Sequence, residues 1–206
     1  MSSHPKDISE NVLSVMAKSR HIPHQLHLPL QSGSDKVLSD MNRKYDSAAY
    51  LKIIDKAREL MDDIAFTTDI IVGFPTETRA DFEKTCEMLK KVRYDSIFSF
   101  IYSKRSGTPA AKMEMAASDD EIKAWFDEML KVQNDISYEI NLSQVGQIQD
   151  VLVEGKSKNE EDFLTSRNYA NKIVNFKGGE EQIGKIVKVK ITKAQTWVLF
   201  GELVEE

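Results

Sequence analysis

The sequence changes its pattern near residue 143, and this change limits what the chain can fold into. Before it, short apolar runs typical of strands alternate with segments whose apolar residues recur at helical spacing. After it, strand-like runs follow one another with only short polar turns between them. We therefore expect an α/β part with parallel strands, followed by an all-β part that closes into a small antiparallel barrel.

The α/β part contains three predicted strands separated by helical segments. The strands are residues 25–30, 65–74 and 94–103. One helix is predicted after Asp46, and another begins at Thr78, whose spacing from Asp81 is that of a capping box. Because three strands are few for a parallel sheet covered on both faces, we predict a partial (βα) barrel belonging to a larger protein. A small open layer of three strands is the alternative.

A long helix is predicted over residues 118–140, where Ser118 and Glu121 form a second capping box. Five strand-like runs follow it, at residues 148–155, 162–168, 172–176, 184–192 and 196–204. Their number and spacing are typical of oligonucleotide-binding (OB-like) barrels. The predicted domains are the partial (βα) barrel at 1–117, a connector helix at 118–143 and the small β-barrel at 144–206.

The single cysteine, Cys86, restricts the chemistry available to the chain. One thiol forms no internal disulfide and indicates a reducing compartment, so a cytoplasmic location is predicted. It also cannot supply the several thiolates of a zinc or iron–sulfur site. The histidines at 21, 24 and 27 have no carboxylate or thiol at ligand spacing, so they are interpreted as surface or strand residues and no metal site is predicted.

Charge and hydropathy restrict the partners. The formal net charge is −5, and residues 144–206 hold 9 Lys and Arg against 10 Asp and Glu. Contact with nucleic acid must therefore come from a local patch rather than from net charge. No run approaches the roughly 20 apolar residues that span a bilayer, and no signal peptide is recognisable, so no membrane partner is predicted.

Polar turns follow the predicted parallel strands, at the edge where α/β layers bind ligands. After the first strand, Gln31, Ser32 and Ser34 combine donors and acceptors that suit a ribose or an amino-acid head group. After the second, Gly73 and Pro75 form a turn in which glycine lets the backbone approach a ligand closely. These turns predict a ligand site, although ordinary turn chemistry is the alternative.

Charged residues near the same edge are further candidates. Asp69 lies within the second strand, where a lone carboxylate is costly to bury, so we expect it to meet a partner or a ligand. Arg43 and Arg105 suit a carboxylate or a phosphate, and Lys104 precedes Arg105 in the turn after the third strand.

Basic residues in the β-barrel part suggest contact with a phosphate backbone. Lys188 and Lys190 alternate with valines, so both project from one face of their strand. Lysines two residues apart on a barrel strand can follow successive phosphates of RNA. A solvated strand face is the alternative.

Ordered motifs of the chain resemble a known family, the radical-SAM methylthiotransferases. The α/β part carries HLPLQSGSDKVLSDMNRKY, TDIIVGFPTET and YDSIFSFIYSKRSGTPAAKM. The last part, with NKIVNF and IGKIVKVKIT, resembles the TRAM domain, a small RNA-binding barrel. The resemblance covers nearly the whole chain. The part of the family that this chain resembles is the C-terminal half of members that act on tRNA.

The resemblance implies a function and cofactors. It implies a partial (βα)6 barrel that binds S-adenosylmethionine and a 4Fe–4S cluster, produces a 5′-deoxyadenosyl radical, and works with a second 4Fe–4S cluster in an N-terminal domain. The implied reaction adds a methylthio group to C2 of N6-isopentenyladenosine next to the tRNA anticodon. The tRNA anticodon stem-loop and the missing N-terminal half are then the implied partners.

The resemblance also implies roles for particular residues. Near the ribose and methionine end of S-adenosylmethionine it places Gln31, Ser32 and Ser34. On the adenine side it places Gly73 and Pro75, with Arg43 at the carboxylate and Asp69 in the same cofactor site. Residues implied at the substrate are Lys104, Arg105, Arg167, Lys172, Lys188 and Lys190.

The chain departs from the family by lacking any C-x-x-x-C-x-x-C motif and the N-terminal domain. It is therefore expected to hold no cluster and to be inactive alone. An open barrel edge beside Leu26, Leu28 and Leu30 predicts self-association. Two alternatives remain open, a fragment that modifies an aspartate of a ribosomal protein and a stand-alone RNA-binding module; the lysine-rich strand favours RNA.

Overall fold

A computed structural model describes residues 3–158 and 162–204 and divides the chain into two compact units. The first unit contains residues 1–22 and 26–134, and the second contains residues 23–25 and 135–206. The division between residues 134 and 135 falls inside the long helix that the sequence predicts as a connector. The proposed domain limits at 117 and 143 stay predictions.

The first unit is built on a three-stranded parallel sheet with the order β1-β2-β3. Its strands are β1 (Gln25–His27), β2 (Ala65–Val72) and β3 (Ser96–Ile101). Its helices are α1 (Glu10–Lys18), α2 (Asp35–Asp40), α3 (Ser47–Leu60), α4 (Arg79–Val92) and α5 (Asp119–Leu142), the last of which continues into the second unit. The predicted α/β class and parallel pairing are confirmed.

The first strand is shorter than predicted, because Pro29 has no N–H to give to a ladder. Beyond His27 the hydroxyl of Thr68 adds to the remaining backbone hydrogen bonds between this segment and β2. It accepts from the amide of Leu30 at 2.8 Å and lies 2.8 Å from the carbonyl of Leu28, to which it donates. The chain stays attached to β2 although regular strand structure ends.

Helix caps were the local features best predicted by the sequence. Thr78 and Asp81 form the capping box of α4, with both reciprocal hydrogen bonds present. Ser118 and Glu121 form the equivalent pair before α5, with the Ser118 amide and the Glu121 carboxylate 2.9 Å apart. Cys86 lies on the buried face of α4, where burial raises the pKa of its thiol to about 11, in line with an inert core thiol.

A buried tyrosine pair ties α3 to the sheet. Tyr50 donates from its hydroxyl to the carbonyl of Leu28 at 2.8 Å, and Tyr94 donates to the Tyr50 hydroxyl at 3.0 Å. Both rings are fully buried, so each hydroxyl needs the partner that it has.

Among the helices of the described residues, none is long and apolar enough to cross a membrane.

The second unit is a closed barrel of five strands with the order β4-β5-β6-β8-β7. The strands are β4 (Ile148–Lys156), β5 (Phe163–Arg167), β6 (Ile173–Lys177), β7 (Ile186–Ala194) and β8 (Val198–Leu203). The predicted barrel is confirmed, with one difference: β6 and β8 pair in parallel, whereas the other pairs are antiparallel.

Alternate residues of these strands fill the barrel. The buried core consists of Val151, Val153, Leu164, Val174, Phe176, Val189, Ile191 and Leu199. Gly201 allows β7 and β8 to approach closely, since a Cβ there would lie 2.6 Å from the carbonyl oxygen of Lys190. Residues between the core positions face outward, and the lysines of β7 are among them.

Candidate functional site

Gln31 lies in the segment that follows β1, in a backbone conformation that is unusual for a residue with a side chain. Its φ is 73°, in the left-handed region. Two hydrogen bonds to β2 hold it there, from its amide to the Asp69 carbonyl at 2.8 Å and from the Ile71 amide to its own carbonyl at 2.9 Å. Strain of this kind is concentrated at binding sites, and it fixes where the turn after β1 begins.

The serines of this turn are buried, and their hydroxyls have protein partners. Ser34 donates to a carboxylate oxygen of Asp81 at 2.7 Å. The Ser32 hydroxyl accepts from the Ser34 amide at 3.2 Å and lies 3.4 Å from that of Thr85. Both side chains therefore hold the turn against α4, and the contact with S-adenosylmethionine implied for them stays a prediction.

Gly33, between the two serines, allows the closest approach of the turn to α4. A Cβ at this position would lie 2.5 Å from the carbonyl oxygen of Lys84 and 2.6 Å from the Cα of Thr85. The Gly33 amide donates to the Thr85 hydroxyl at 2.9 Å. The turn and the first half of α4 thus form one packed layer beneath the strand ends.

Asp81 is the anionic anchor of this layer. Burial raises the pKa of its carboxyl, but hydrogen bonds from Ser34 and Thr78 and the nearby charge of Lys36 outweigh burial, and the pKa falls to about 2. The Lys36 ammonium lies 3.8 Å from it. Asp81 is therefore ionised at neutral pH and holds the start of α4 and the turn after β1 together.

Glu77 was missed by sequence reasoning and is the most perturbed carboxyl of the turn after β2. It is 2% exposed, and it accepts from the amide of Gly73 at 2.5 Å through Oε2. Its other oxygen, Oε1, is buried without a hydrogen-bond partner. Burial raises its pKa to about 7, and the charge of Asp81 acts in the same direction. The sequence signal that could have identified Glu77 is its position four residues after Gly73, the glycine that follows β2.

Gly73 and Pro75 shape that turn. Gly73 has a φ of 79°, and a Cβ there would lie 2.6 Å from a methyl group of Ile122, so both conformation and space favour glycine. The Pro75 carbonyl accepts from the amide of Ala116 at 2.7 Å. This hydrogen bond ties the predicted adenine-side turn to the segment before α5, while the contact of the turn with a ligand stays a prediction.

Two buried donors of the described residues lack partners near the strand ends. Arg43 is half-buried, and its Nε has no hydrogen-bond partner. Its charge acts on Tyr45, whose hydroxyl shares its proton between the carbonyls of Pro29 and Leu30 in the segment after β1. Tyr102 follows β3, and its buried hydroxyl is also without a partner. Buried unpaired donors call for a ligand or a water.

Tyr102, the second of the two donors without a partner, also belongs to an aromatic pair. The ring of Tyr102 packs edge-to-face on that of Phe74, with centroids 5.3 Å apart and an interplanar angle of 71°. Phe74 lies in the turn after β2, so the pair joins the carboxyl ends of β2 and β3. An apolar wall with one free hydroxyl is a suitable surface for a heteroaromatic ring.

Asp69 has a protein partner that the sequence interpretation missed. Its carboxylate lies 3.5 Å from Nε2 of His27, whose Nδ1 is 2.9 Å from the hydroxyl of Thr67. His27 was interpreted as a residue without a carboxylate at ligand spacing, because that interpretation considered neighbours along the chain rather than across the sheet. No group of three potential metal ligands occurs in residues 3–158 and 162–204.

His27 and Asp69 lie on one face of the sheet together with exposed aromatic residues of β3. The ring of Phe98 packs edge-to-face on His27 at 5.7 Å. Phe98 and Phe100 are 57% and 55% exposed. The leucines beside which self-association was predicted, Leu26, Leu28 and Leu30, are instead buried, so exposed apolar surface lies at β3 rather than at β1.

The basic residues predicted to contact RNA differ in their availability. Arg167 pairs with both carboxylate oxygens of Glu154 at 3.2 Å, and Lys188 pairs with Asp150 at 3.0 Å. Lys172 donates to the side-chain carbonyl of Asn141 at 2.6 Å. Lys104, Arg105 and Lys190 are exposed side chains. Surface ion pairs are weak, so Arg167 and Lys188 can still exchange a carboxylate for a phosphate.

Comparison with protein families finds two matches along the chain. The model of the Radical SAM superfamily matches residues 1–89, and the model of the TRAM domain matches residues 142–204. The second match covers the closed barrel, and the first covers β1, β2 and most of α4.

Curated relatives match nearly the whole chain. The tRNA-2-methylthio-N(6)-dimethylallyladenosine synthase of Carboxydothermus hydrogenoformans is 48% identical over 98% of this chain and 46% of its own length. The proteins of the same name from Clostridium botulinum (strain Okra) and Thermoanaerobacter sp. (strain X514) are each 48% identical, over 45% and 44% of their lengths. The chain thus spans about half the length of the curated relatives it matches.

A solved structure shares the fold. The Escherichia coli coproporphyrinogen III oxidase HemN, described as a Radical SAM enzyme, superposes with a TM-score of 0.56. The match covers 99% of this chain and 51% of that protein, at 16% identity. At that identity the likeness concerns the fold alone.

Proposed function

Because the chain belongs to the radical-SAM methylthiotransferase family, we propose that it is the part of such an enzyme that binds S-adenosylmethionine and tRNA. The proposed reaction adds a methylthio group to C2 of N6-dimethylallyladenosine next to the anticodon. The observation that carries the proposal is near-half identity to named tRNA-modifying synthases over 98% of this chain, across both units. Since the chain spans about half of those relatives, the complete activity requires the remainder.

The strand-end residues of the first unit fit S-adenosylmethionine. The partnerless Nε of Arg43 suits the carboxylate of the amino-acid end. The Phe74 and Tyr102 pair, with the Gly73 turn, suits the adenine ring. Gln31 holds the backbone of the turn after β1 against β2. S-adenosylmethionine bound here would supply the radical chemistry and the methyl group, while these residues bind and orient it.

Iron–sulfur clusters do not fit the residues of this span. A 4Fe–4S cluster needs thiolates, and the sequence has one cysteine, which is buried on α4 with a raised pKa. We therefore derive no step through a cluster here. The cluster ligands of the complete enzyme would lie outside this span, and the chain by itself is expected to be inactive.

The sheet face that carries Phe98 and Phe100 suits packing against protein. Exposed neighbouring aromatic residues on a sheet face are unusual for a free surface. We propose that the remainder of the enzyme covers them, completing the barrel that the three strands begin. Self-association through the open barrel edge, when the remainder is absent, stays a prediction.

A segment exchange tests the proposed function. This chain replaces the matching segment of the Carboxydothermus hydrogenoformans relative, and tRNA incubated with the reconstituted hybrid is digested and its nucleosides are weighed by mass spectrometry. We expect the methylthiolated nucleoside. A hybrid that holds its clusters and consumes S-adenosylmethionine but leaves tRNA unmodified would contradict the proposal. Methylthiolation of a ribosomal protein instead would favour the sister group.

Arg43 provides a sharper test of the cofactor site. Arg43→Gln in the hybrid should weaken S-adenosylmethionine binding about thirtyfold, because a charge-assisted hydrogen bond contributes roughly 2 kcal/mol. Equilibrium dialysis measures it without turnover. Lys44→Gln is the matched control, since Lys44 is an exposed neighbouring cation whose ammonium bonds Asn42. Equal affinities of the two variants would remove Arg43 from the site.

A further inference from the structure

An open groove of about 600 Å³ crosses the outer surface of the barrel over β5, β6, β7 and β8. Its lining includes two aromatic and two basic side chains and one acid: Phe163, Phe200, Lys177, Lys193 and Glu202. The phenylalanines point outward because Leu164 and Leu199, their neighbours in sequence, are in the core. Aromatic residues thus occupy positions where a solvated barrel normally places polar ones.

The two rings lie side by side and each has a lysine over it. Their centroids are 6.2 Å apart with an interplanar angle of 84°. The ammonium of Lys177 is 5.8 Å from the Phe163 centroid, and that of Lys193 is 5.6 Å from the Phe200 centroid. Strand pairing fixes this arrangement, since Phe163 is opposite Lys177 and Phe200 is opposite Lys193.

Both lysines are exposed, so their ammonium groups can leave the rings for a phosphate at little expense. The rings are then free to stack on planar groups. Exposed aromatic faces interleaved with cations on a barrel are the elements by which proteins hold single-stranded nucleic acid. None of the four residues was identified from the sequence, because the pairing is formed between strands.

We propose that this groove is a stacking site for single-stranded RNA, in which one base stacks on Phe163, another stacks on Phe200, and Lys177 and Lys193 hold the adjoining phosphates. The proposal deepens the proposed function and rests on it for the choice of RNA as occupant. Stacking tolerates every base, so the site adds affinity for an unpaired loop rather than sequence preference.

Charge favours an anionic occupant over an apolar peptide, and the pairing of each ring with a lysine favours RNA over an acidic peptide. The whole chain has a formal net charge of −5, yet the groove holds two lysines against Glu202. Each lysine is next to a ring, which matches the repeat of base and phosphate along a strand. Glu202 opposes phosphate, so Glu202→Gln should tighten binding.

The test measures binding of a fluorescent single-stranded RNA oligonucleotide to the 206-residue chain by anisotropy. Phe163→Leu and Phe200→Leu keep apolar volume but remove the stacking face, and each should weaken binding about tenfold. Lys177→Gln with Lys193→Gln should lower the slope of log affinity against log salt by about 1.4. Lys52→Gln is the control for removal of one cation, because Lys52 is exposed on α3 and belongs neither to the groove nor to the residues predicted to contact RNA. Circular dichroism checks that each barrel is folded.

The outcomes separate this inference from the proposed function. Weaker binding of folded phenylalanine variants, with Lys52→Gln close to the parent, supports the stacking site. RNA binding that is unchanged in those variants overturns it, while the segment exchange can still succeed. A chain that binds no oligonucleotide but captures a peptide through the groove also overturns it. Loss of methylthiolation in the hybrid, with stacking intact, overturns the proposed function alone.

Discussion

Replacement of Gly33 by alanine is expected to destabilise the first unit by about 3 kcal/mol. The new Cβ would lie 2.5 Å from the carbonyl oxygen of Lys84 and 2.6 Å from the Cα of Thr85. Both are backbone atoms of α4, which cannot yield as the end of a side chain does. Separation of the turn from α4 would also weaken the buried bond from the Gly33 amide to Thr85.

The measurement must report on the first unit alone, because a chain of two units need not unfold in one step. Trp125 is suited to this, since it is 7% exposed and stacks on Phe82 at 5.6 Å. Trp197 is the other tryptophan of the sequence and is 56% exposed. In a Trp197→Phe background, Trp125 fluorescence during urea unfolding therefore follows the first unit.

Gly155→Ala in β4 is the control for replacing a glycine that has room for a Cβ, and circular dichroism follows its unfolding because Gly155 lies in the second unit. A Cβ at Gly155 meets nothing within 4 Å, so that variant should unfold at nearly the parent urea concentration. If Gly33→Ala differs from the parent by less than about 0.5 kcal/mol, the close contact between the turn and α4 is wrong.

Glu77→Gln is expected to stabilise the first unit at alkaline pH and to have little effect in acid. Burial raises the pKa of Glu77 from 4.5 to about 7 in the folded chain. The folded state therefore retains a proton that the unfolded state has released. The stability from this protonated form is fully present below pH 4.5 and is lost as the pH rises through 7. The loss approaches about 3 kcal/mol, since each pKa unit corresponds to about 1.4 kcal/mol.

Glutamine retains the shape and an acceptor for the Gly73 amide but has no charge to desolvate. Free energies of unfolding from Trp125 fluorescence, measured between pH 4.5 and 8, should fall for the parent relative to Glu77→Gln. Asp81, with a pKa of about 2, stays ionised throughout this range and adds nothing to the difference. The expected result is a variant about 3 kcal/mol more stable than the parent at pH 8.

Glu87→Gln on the exposed face of α4 serves as the control for removal of one acidic charge. It should not alter the dependence of stability on pH. Parallel curves for the parent and Glu77→Gln would contradict a buried carboxyl that protonates near neutrality.

The order of strands and helices was predictable because each depends on local pattern. Capping at Thr78 and Ser118 needs only residues three positions apart, and both caps form. The end of β1 was predicted too late, since the effect of Pro29 was not included, and Thr68 compensates for it from another strand. The parallel pairing of β6 with β8 has no local signature.

The sheet edge that carries the candidate ligand site was predictable from the direction of the parallel strands. The hydrogen-bond partner of each side chain at that edge was not predictable. Ser32 and Ser34 have the composition of a ligand turn, yet Asp81 and Thr85, distant in sequence, engage their hydroxyls. Glu77 became important through burial, which spacing does not reveal. In the barrel, the ring and cation pairs arise from register between strands, so lysines conspicuous along the chain were chosen instead.

The parallel partnership of β6 with β8 affects how the barrel emerges during translation. β8 pairs with β6 on one side and with β7 on the other, so it is the strand that closes the ring. Until the ribosome has released residues up to Leu203, the four earlier strands form an open sheet with two unpaired margins. A stall within that interval would expose Phe176 and Val189 to chaperones or to neighbouring nascent chains.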